Sequence, residues 1–330
     1  MKYKVALVTG GYSGEAEVSY NSARNVASHL DRNRYEVYLI DIRKDGWFYK
    51  DDAGVEQEVD RKDFSVYADE KKVRFDLAFI ILHGTPGEDG KLQGYFDMIG
   101  LPYTSCNAAT SSLTFNKRYT VAVAAFAGIR VAKSAHLIKG IEWSADQICS
   151  DLCMPVFVKP NNGGSSIGMS KVSDSVELPS AIEKAFKEDS QVLVEEMIQG
   201  REFTIGVYRH QGVVKTLPIT EVKAHAGQNF FDYEAKYLGK SDEITPAEIS
   251  PTQKNNIEKA AIKIYEVFNC SGVIRIDFIY NEDVDAPYML EINTVPGQSD
   301  ASIIPQQVRA SGQNLTDFYG SLIEEVLSRK

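Results

Sequence analysis

The chain has 330 residues, with 36 Lys+Arg against 46 Asp+Glu and a formal charge of −10. Its 43% hydrophobic and 25% charged residues are ordinary for a globular protein and exclude a collagen-like, disulfide-scaffold or mostly disordered chain. The length allows about two or three domains, each able to bury a core. The acidic balance, with no long Lys/Arg cluster to offset it, argues against nucleic acid as a partner.

No apolar run nears the ~20 residues that span a bilayer, so no membrane insertion is expected. The run Val5 to Val8 leads straight into Thr9-Gly10-Gly11 with no small-residue cleavage site, so no signal peptide is expected. Cys106, Cys149, Cys153 and Cys270 fit no zinc spacing. They read as buried reduced thiols, which makes a cytoplasmic location the default.

The first third alternates strands and helices: a strand at Val5–Thr9, a helix from Glu15 to Leu30, strands at Tyr35–Ile42 and Phe75–Leu82, and a helix at Lys91–Ile99. That order predicts a parallel sheet with helices on its faces. Near residue 105 the pattern changes. An Ala-rich helix over Asn116–Ala127 is stopped by Gly128. Arg130–Ile138, Val156–Lys159, Ile167–Val172, a helix near Ser175–Lys187 and Gln191–Met197 follow, which is α+β. The last third opens at Gly200 with a hairpin of Glu202–Arg209 and Val213–Thr220 around His210-Gln211-Gly212. Lys223 to Ala247 has no clean period and reads as a lid. A helix at Pro251–Phe268, two strands and an amphipathic helix at Leu315–Leu327 complete the chain.

The two late strands carry the strongest signal. In Val273 to Phe278, Arg275 and Asp277 share one face while Ile274, Ile276 and Phe278 share the other. In Tyr288 to Asn293, Glu291 and Asn293 share a face, with Leu290 and Ile292 pointing away. If Tyr280 pairs with Tyr288, Asp277 faces Glu291 and Arg275 faces Asn293. Opposed Cβ atoms lie about 5 Å apart, and two carboxylates at that distance repel by roughly 3 kcal/mol at an effective dielectric of 20. Arg275 offsets part of this. A divalent cation offsets it better, and oxygen-only ligation suits Mg²⁺ or Mn²⁺ rather than Zn²⁺. The alternative is a solvated polar strand face.

Two glycine-rich segments follow strands. Lys159-Pro160-Asn161-Asn162-Gly163-Gly164-Ser165-Ser166 is not a Walker A loop, because its lysine precedes the glycines and a β-like run follows. It reads either as a hairpin tip presenting N–H groups and hydroxyls to a phosphate, with Lys159 on another phosphate oxygen, or as a mobile surface hairpin. Gly10 to Glu15 opens a helix after the first strand, a topological place for ligands. It is not G-x-G-x-x-G, although Asp41 ends the second strand where a ribose-binding acid could sit. Glu15 reads as a helix cap or an amine ligand. His83 follows the third strand at the same sheet edge. Glu195 lies at a domain junction and reads as a base or ribose contact or a surface acid.

Taken together and in order, these segments resemble the D-alanine–D-alanine ligases of the ATP-grasp superfamily. The resemblance is carried by Gly10 to Ser19, His83 to Gly90, Val158-Lys159-Pro160 with Gly164 to Gly168, Asp232 to Tyr237, Arg275-Ile276-Asp277, and Glu291-Ile292-Asn293-Thr294 with Pro296-Gly297. It covers nearly the whole chain. It implies an N-terminal open parallel α/β sheet (1–105) followed by a two-part ATP-grasp fold, its central part (106–199) bearing the phosphate loop and its C-terminal part (200–330) the lid and metal site. It also implies ATP as co-substrate, two D-alanines as substrates, an acyl-phosphate intermediate, a role in peptidoglycan precursor synthesis and a homodimer.

The implied roles follow position by position. Asp277, Glu291 and Asn293 hold two Mg²⁺ (or Mn²⁺). Lys117, Lys159, Ser166 and Lys236 bind ATP phosphates, Glu195 and Met197 meet adenine, and Glu202 meets ribose. Glu15 takes the first substrate's amino group and His83 lies near its carboxylate. Arg275 and the Gly297 backbone stabilise the oxyanion, and Ser302 binds the second carboxylate. Glu15, Ser165 and Tyr237 link the lid to the site. Tyr237 after Ala235-Lys236 favours an amine nucleophile over D-lactate. Tyr12, Asn162-Gly163 and Asp300 depart from the family pattern, and Asp300 adds an acid near the second-substrate site. A different carboxylate–amine ligase, a nicotinamide dehydrogenase and a non-catalytic protein are the alternatives. The missing G-x-G-x-x-G counts against the dehydrogenase, and the intact metal ligands count against a non-catalytic protein.

Overall fold

The structure, a computed structural model, describes residues 2–51, 53–68, 71–163, 167–224 and 241–329. The first sheet contains β1 (Tyr3–Gly10), β2 (Tyr35–Arg43), β3 (Gly46–Lys50), β4 (Glu56–Glu58) and β7 (Leu77–Ile80), in the order β4-β3-β2-β1-β7. Strand β1 runs parallel to both β2 and β7. Val5, Ala6, Leu7 and Val8 have no exposure, as expected of a strand covered on both faces. The sheet is not parallel throughout, which corrects the sequence expectation. Strands β3 and β4, which carry no clear pattern, add antiparallel to the β2 edge. Only Lys44 and Asp45 separate β2 from β3, and so short a link makes a hairpin, never a crossover. A two-stranded antiparallel pair, β5 (Val66–Ala68) with β6 (Lys71–Val73), lies apart from this sheet.

The second sheet is antiparallel: β8 (Ser134–Ile138), β9 (Val156–Pro160), β10 (Ser170–Val172) and β11 (Gln191–Glu196), ordered β10-β9-β11-β8. The third contains β12 (Arg201–His210), β13 (Val213–Thr216), β14 (Thr220–Ala224), β15 (Ser241–Ile244), β16 (Val273–Asn281) and β17 (Ala286–Asn293). Its order is β15-β14-β12-β16-β17, with β13 beside β12. The β12–β13 turn has Gln211 at φ 51° and Gly212 at φ 76°. Both central residues at positive φ make the tight turn that matches strand twist. Within the stretch that showed no period, Lys223 and Ala224 pair with Asp242 and Ser241. The intervening residues 225–240 lie outside the described residues.

Among the described residues three apolar clusters form the core. One joins the first sheet to Phe318, Tyr319, Leu322 and Ile323 of the helix Leu315–Leu327. The second packs Ile257, Ala261, Ile264 and Tyr265 of the helix Pro251–Val267 onto Phe203, Ile205, Ile274, Ile276 and Phe278 of the third sheet, with Cys106, Ala124 and Ile129. That helix starts cleanly because Ser250 and Gln253 form a reciprocal capping box. The third lies between the second sheet and Ile182 and Ala185 of the helix Leu178–Glu188. The helices Ala108–Phe115, Ala145–Asp151 and Ile303–Ala310 were not foreseen. The first is rich in Thr and Ser, poor interior helix formers, and begins on the Asn107 side-chain cap. All four cysteines are free thiols, but only Cys106 and Cys270 are buried. Cys149 is half-buried and Cys153 exposed, a correction to the reading of all four as buried. Among the described residues no helix is long and apolar enough to cross a membrane.

Candidate active site

A cleft of about 410 Å³ is lined from three directions. Glu15 and His83 come from the N-terminal sheet, Lys117 and Gly163 from the middle of the chain. Glu202, Arg275, Asp277, Glu291, Asn293, Gly297 and Ser302 come from the last third.

The Arg275/Asp277 and Glu291/Asn293 faces meet as the strand alternation requires. Asp277 opposes Glu291 and Arg275 opposes Asn293 across β16 and β17. The route to that register differs from the expected one. Tyr280 pairs with Pro287, not Tyr288, and the register shifts between Asp277 and Phe278. The extra residue sits on β17, so Met289 rather than Leu290 enters the core with Ile292. The shorter turn and the bulge compensate, and the polar pair lands where it would without either.

Asp277 is buried and well held. Arg275 donates from Nε to Oδ1 at 2.9 Å and from Nη2 to Oδ2 at 2.8 Å. The Thr204 hydroxyl donates to Oδ1 at 2.5 Å. Glu291 Oε1 lies 3.7 Å from Arg275 Nη2. Asn293 Oδ1 accepts from the Val295 N–H at 3.0 Å. Two carboxylates and one amide carbonyl therefore converge, an all-oxygen set that fits Mg²⁺ or Mn²⁺. Among the described residues no cluster of three His, Cys, Asp or Glu side chains suited to a metal exists. The third donor here is an amide.

The first-sheet wall is built from turns. Gly84 has φ 69°, and a Cβ there would lie 2.5 Å from Ser13 Oγ and 2.9 Å from Glu15 Oε2. This backbone approach brings the loop after β7 against the loop after β1. The Gly84 N–H donates to Glu88 Oε2 at 2.6 Å. Burial, and then the neighbouring Glu15 charge, pushes Glu88 up to about 8. Burial, and then Arg275, pushes His83 down to about 4, so His83 is neutral at pH 7. The His83 N–H donates to Ser19 Oγ at 2.9 Å, and its Nε2 lies 3.4 Å from Ser22 Oγ. Glu88 also lines the cleft and was not singled out from sequence. Its position inside the His83–Gly90 segment was the available signal.

Ser22 joins this wall to the next. Its Oγ accepts from the Gln298 N–H at 3.0 Å, and Asn25 Nδ2 donates to Gln298 O at 2.7 Å. Beyond Gln298, the Ser299 and Ser302 hydroxyls are 2.7 Å apart, and Ser302 is the N-cap residue of the helix Ile303–Ala310.

Lys159, Glu195 and Met197 do not line this cleft. Lys159 and Glu195 form an ion pair between adjacent strands β9 and β11, both mostly buried. The Met197 N–H donates to Pro155 O at 3.0 Å. Lys117 Nζ donates to Gly163 O at 2.7 Å, which ties the helix Lys117–Phe126 to the glycine segment. Ser165, Ser166, Lys236 and Tyr237 lie outside the described residues. The departures find local partners. Tyr12 OH accepts from Trp47 Nε1 at 3.1 Å, and Asn162 donates twice to Asp189 Oδ2, at 2.7 and 2.8 Å. Exposed Asp300 is paired with Arg309, which offsets its charge.

Comparison with known proteins places the chain in a family. A D-alanine–D-alanine ligase from Flavobacterium johnsoniae is 45% identical over 320 residues, 97% of this chain and 98% of that one. A D-Ala:D-Ser ligase (VanG) from Enterococcus faecalis has a similar structure, with a TM-score of 0.88 at 31% identity, covering 98% of this chain and 99% of the other. The D-alanine–D-alanine ligase of Bacillus anthracis, complexed with ATP, superposes with a TM-score of 0.78 at 28% identity, over 99% and 98% of the two chains. Family models for the D-ala D-ala ligase N-terminus and C-terminus match residues 4–106 and 115–324. On that near-complete match, the chain belongs to the D-ala D-ala ligase family.

Proposed function

We propose that the chain joins two D-alanines to D-alanyl-D-alanine at the expense of ATP, in the cytoplasm, for peptidoglycan precursor synthesis. The observation that carries this reading is a cleft that gathers Glu15, the Arg275 guanidinium, the oxygens of Asp277, Glu291 and Asn293, and Ser302 at a helix start. The carboxylate oxygen of the first D-alanine attacks the γ-phosphorus, and ADP leaves. The second amine attacks the resulting acyl phosphate. It loses a proton, and phosphate departs with the C–O electron pair.

In this reading Glu15 holds the first ammonium, and neutral His83 lies beside the first carboxylate without adding charge. Arg275 and the Gly297 N–H face the oxyanion that develops at the attacked carbonyl. Ser302 takes the second carboxylate. Lys117, Lys159, Ser166 and Lys236 bind phosphate, Glu202 the ribose, and Glu195 and Met197 the adenine. Asp277, Glu291 and Asn293 would hold two Mg²⁺ (or Mn²⁺), which when bound neutralise charge on the phosphates. Glu15, Ser165 and Tyr237 are the proposed link through which the 223–247 segment excludes water from the acyl phosphate. The ATP-grasp division at about 105 and 199, and a homodimer, belong to the same reading.

The test is phosphate release from MgATP with D-alanine, L-alanine, D-serine, D-lactate, or D-alanine plus D-serine or D-lactate, with products identified by mass. D-alanine alone is expected to give the dipeptide. The likeness to a D-Ala:D-Ser ligase makes D-serine the informative competitor. A mixed dipeptide as the main product would reassign the second site, and no turnover with any pair would overturn the reading.

A further inference from the structure

Behind Asp277 lies a hydrogen-bond chain with no part in the roles above. Thr204 and Asp277 are direct cross-strand partners on β12 and β16, and both are buried. Among the described residues, Oδ1 of Asp277 receives two donors, the Thr204 hydroxyl and Arg275 Nε, while Oδ2 receives Arg275 Nη2 alone. A carboxylate oxygen has two in-plane lone pairs. Oδ1 is therefore filled, and Oδ2 is the oxygen with a lone pair to offer.

Thr204 is itself fixed from behind. Gln307, with no exposure, donates from Nε2 to Thr204 O at 3.0 Å and to Thr220 Oγ1 at 3.0 Å. Its Oε1 accepts from the Gly206 N–H at 2.9 Å. A Cβ on Gly206 would lie 2.8 Å from that oxygen and 2.7 Å from Ile304, so glycine is what lets the helix Ile303–Ala310 come this close to β12. The Thr220 hydroxyl continues the chain to Thr245 Oγ1 at 2.6 Å. A buried amide satisfied on both its ends is a rigid clamp.

We propose that Thr204, clamped by Gln307, is a positioning residue that orients the Asp277 carboxylate so that Oδ2 is presented to the divalent cation. This rests on the proposed reading of Asp277 as a cation ligand. A hydroxyl that merely satisfies a strand neighbour would affect folding alone. One that sets ligand orientation affects cation affinity, and groups behind a ligand typically tune it by about 10–100-fold.

The test is Mn²⁺ binding to the full chain with ADP, followed by the electron paramagnetic resonance signal of free Mn²⁺, alongside the Mg²⁺ dependence of turnover. Thr204→Val keeps the shape and removes the hydroxyl. It is expected to weaken Mn²⁺ binding about tenfold and to leave the KM for D-alanine unchanged, and Thr204→Ser is expected to restore binding. Asp277→Asn is the control. Unchanged Mn²⁺ affinity in Thr204→Val beside a weakened Asp277→Asn overturns the positioning role. Unchanged affinity in Asp277→Asn overturns the ligand reading itself. If Thr204→Val does not fold, Thr204→Ala and Gln307→Met are read by the same criterion.

Discussion

The two walls of the cleft are built by different means. On the C-terminal wall Glu202, Thr204, Arg275, Asp277, Glu291 and Asn293 stand on strands, and cross-strand register places them. On the N-terminal wall Glu15, His83 and Glu88 stand on loops after parallel strands, held by turn glycines and by bonds to Ser19, Ser22 and Gly84. A strand fixes its side chains through a ladder of backbone bonds that no single side chain controls. A loop fixes them one contact at a time. The strand wall should therefore keep its backbone when one side chain is changed and lose only the orientation or chemistry of the group concerned, whereas the loop wall should fail through its backbone.

Arg275→Met gives the largest expected effect. It removes a donor from the developing oxyanion, for a loss of about 10²–10³-fold in kcat. It also leaves Asp277 without its bidentate partner in a mostly buried place, where breaking a pair costs about 3–5 kcal/mol. Steady-state kinetics and denaturant melts check both, and a change in kcat alone would mean that the ladder holds Asp277 without Arg275.

Gly84→Ala comes next, because it puts a side chain at φ 69° against Ser13 and Glu15. The strain is of order 1–3 kcal/mol, and displacing Glu15 should lower kcat/KM for the first D-alanine by on the order of 10–10². A kinetically silent Gly84→Ala would show that the loop wall is as robust as the strand wall. Ser22→Ala removes the acceptor for the Gln298 N–H, at about 1 kcal/mol. Its expected signature is a rise of a few-fold in the second-substrate KM with kcat nearly kept.

The smallest effect is a pH slope. Folded Glu88 keeps its proton up to about 8, against 4.5 for the free side chain. Its contribution to stability is full below 4.5 and is lost as pH rises through 8. His83 has the opposite sign, since its folded value near 4 lies below 6.5, so its contribution is present above 6.5 and lost as pH falls through 4. Glu88→Gln should therefore flatten the fall in melting temperature between pH 6.5 and 8.5, by about 2–4 °C. His83→Asn should flatten the acid side instead. Parallel slopes in wild type and Glu88→Gln would mean that Glu88 is ionised in the folded chain.

The same contrast explains what could be read in advance. Alternation by two revealed the Arg275/Asp277 face because burial on one side of a strand leaves a local record. It could not reveal the bulge beside Leu290, since a bulge changes which residues meet without changing composition. It therefore put Leu290 beside Ile292, where the structure has Met289. Strands β3 and β4 have only five and three residues, too few to show a period. Glu88 was missed because its character comes from burial and then from Glu15, 73 positions away. The Gln307 clamp depends on an eight-residue helix, Ile303–Ala310, too short to give a clear period in the sequence. The Lys159–Glu195 pair joins two residues that sequence had placed in separate roles.

The packing of the helix Leu315–Leu327 into the first cluster has a consequence for synthesis on the ribosome. Phe79 meets Tyr319 edge to face, with ring centroids 6.0 Å apart, so one face of the first sheet is covered by a helix made about 240 residues later. At ~5–20 residues per second, the chain between them takes roughly 10–50 s to emerge. For that interval a nascent sheet carries an uncovered apolar face, the kind of surface that chaperones bind. A chain cut short before Leu315 would keep that face open permanently.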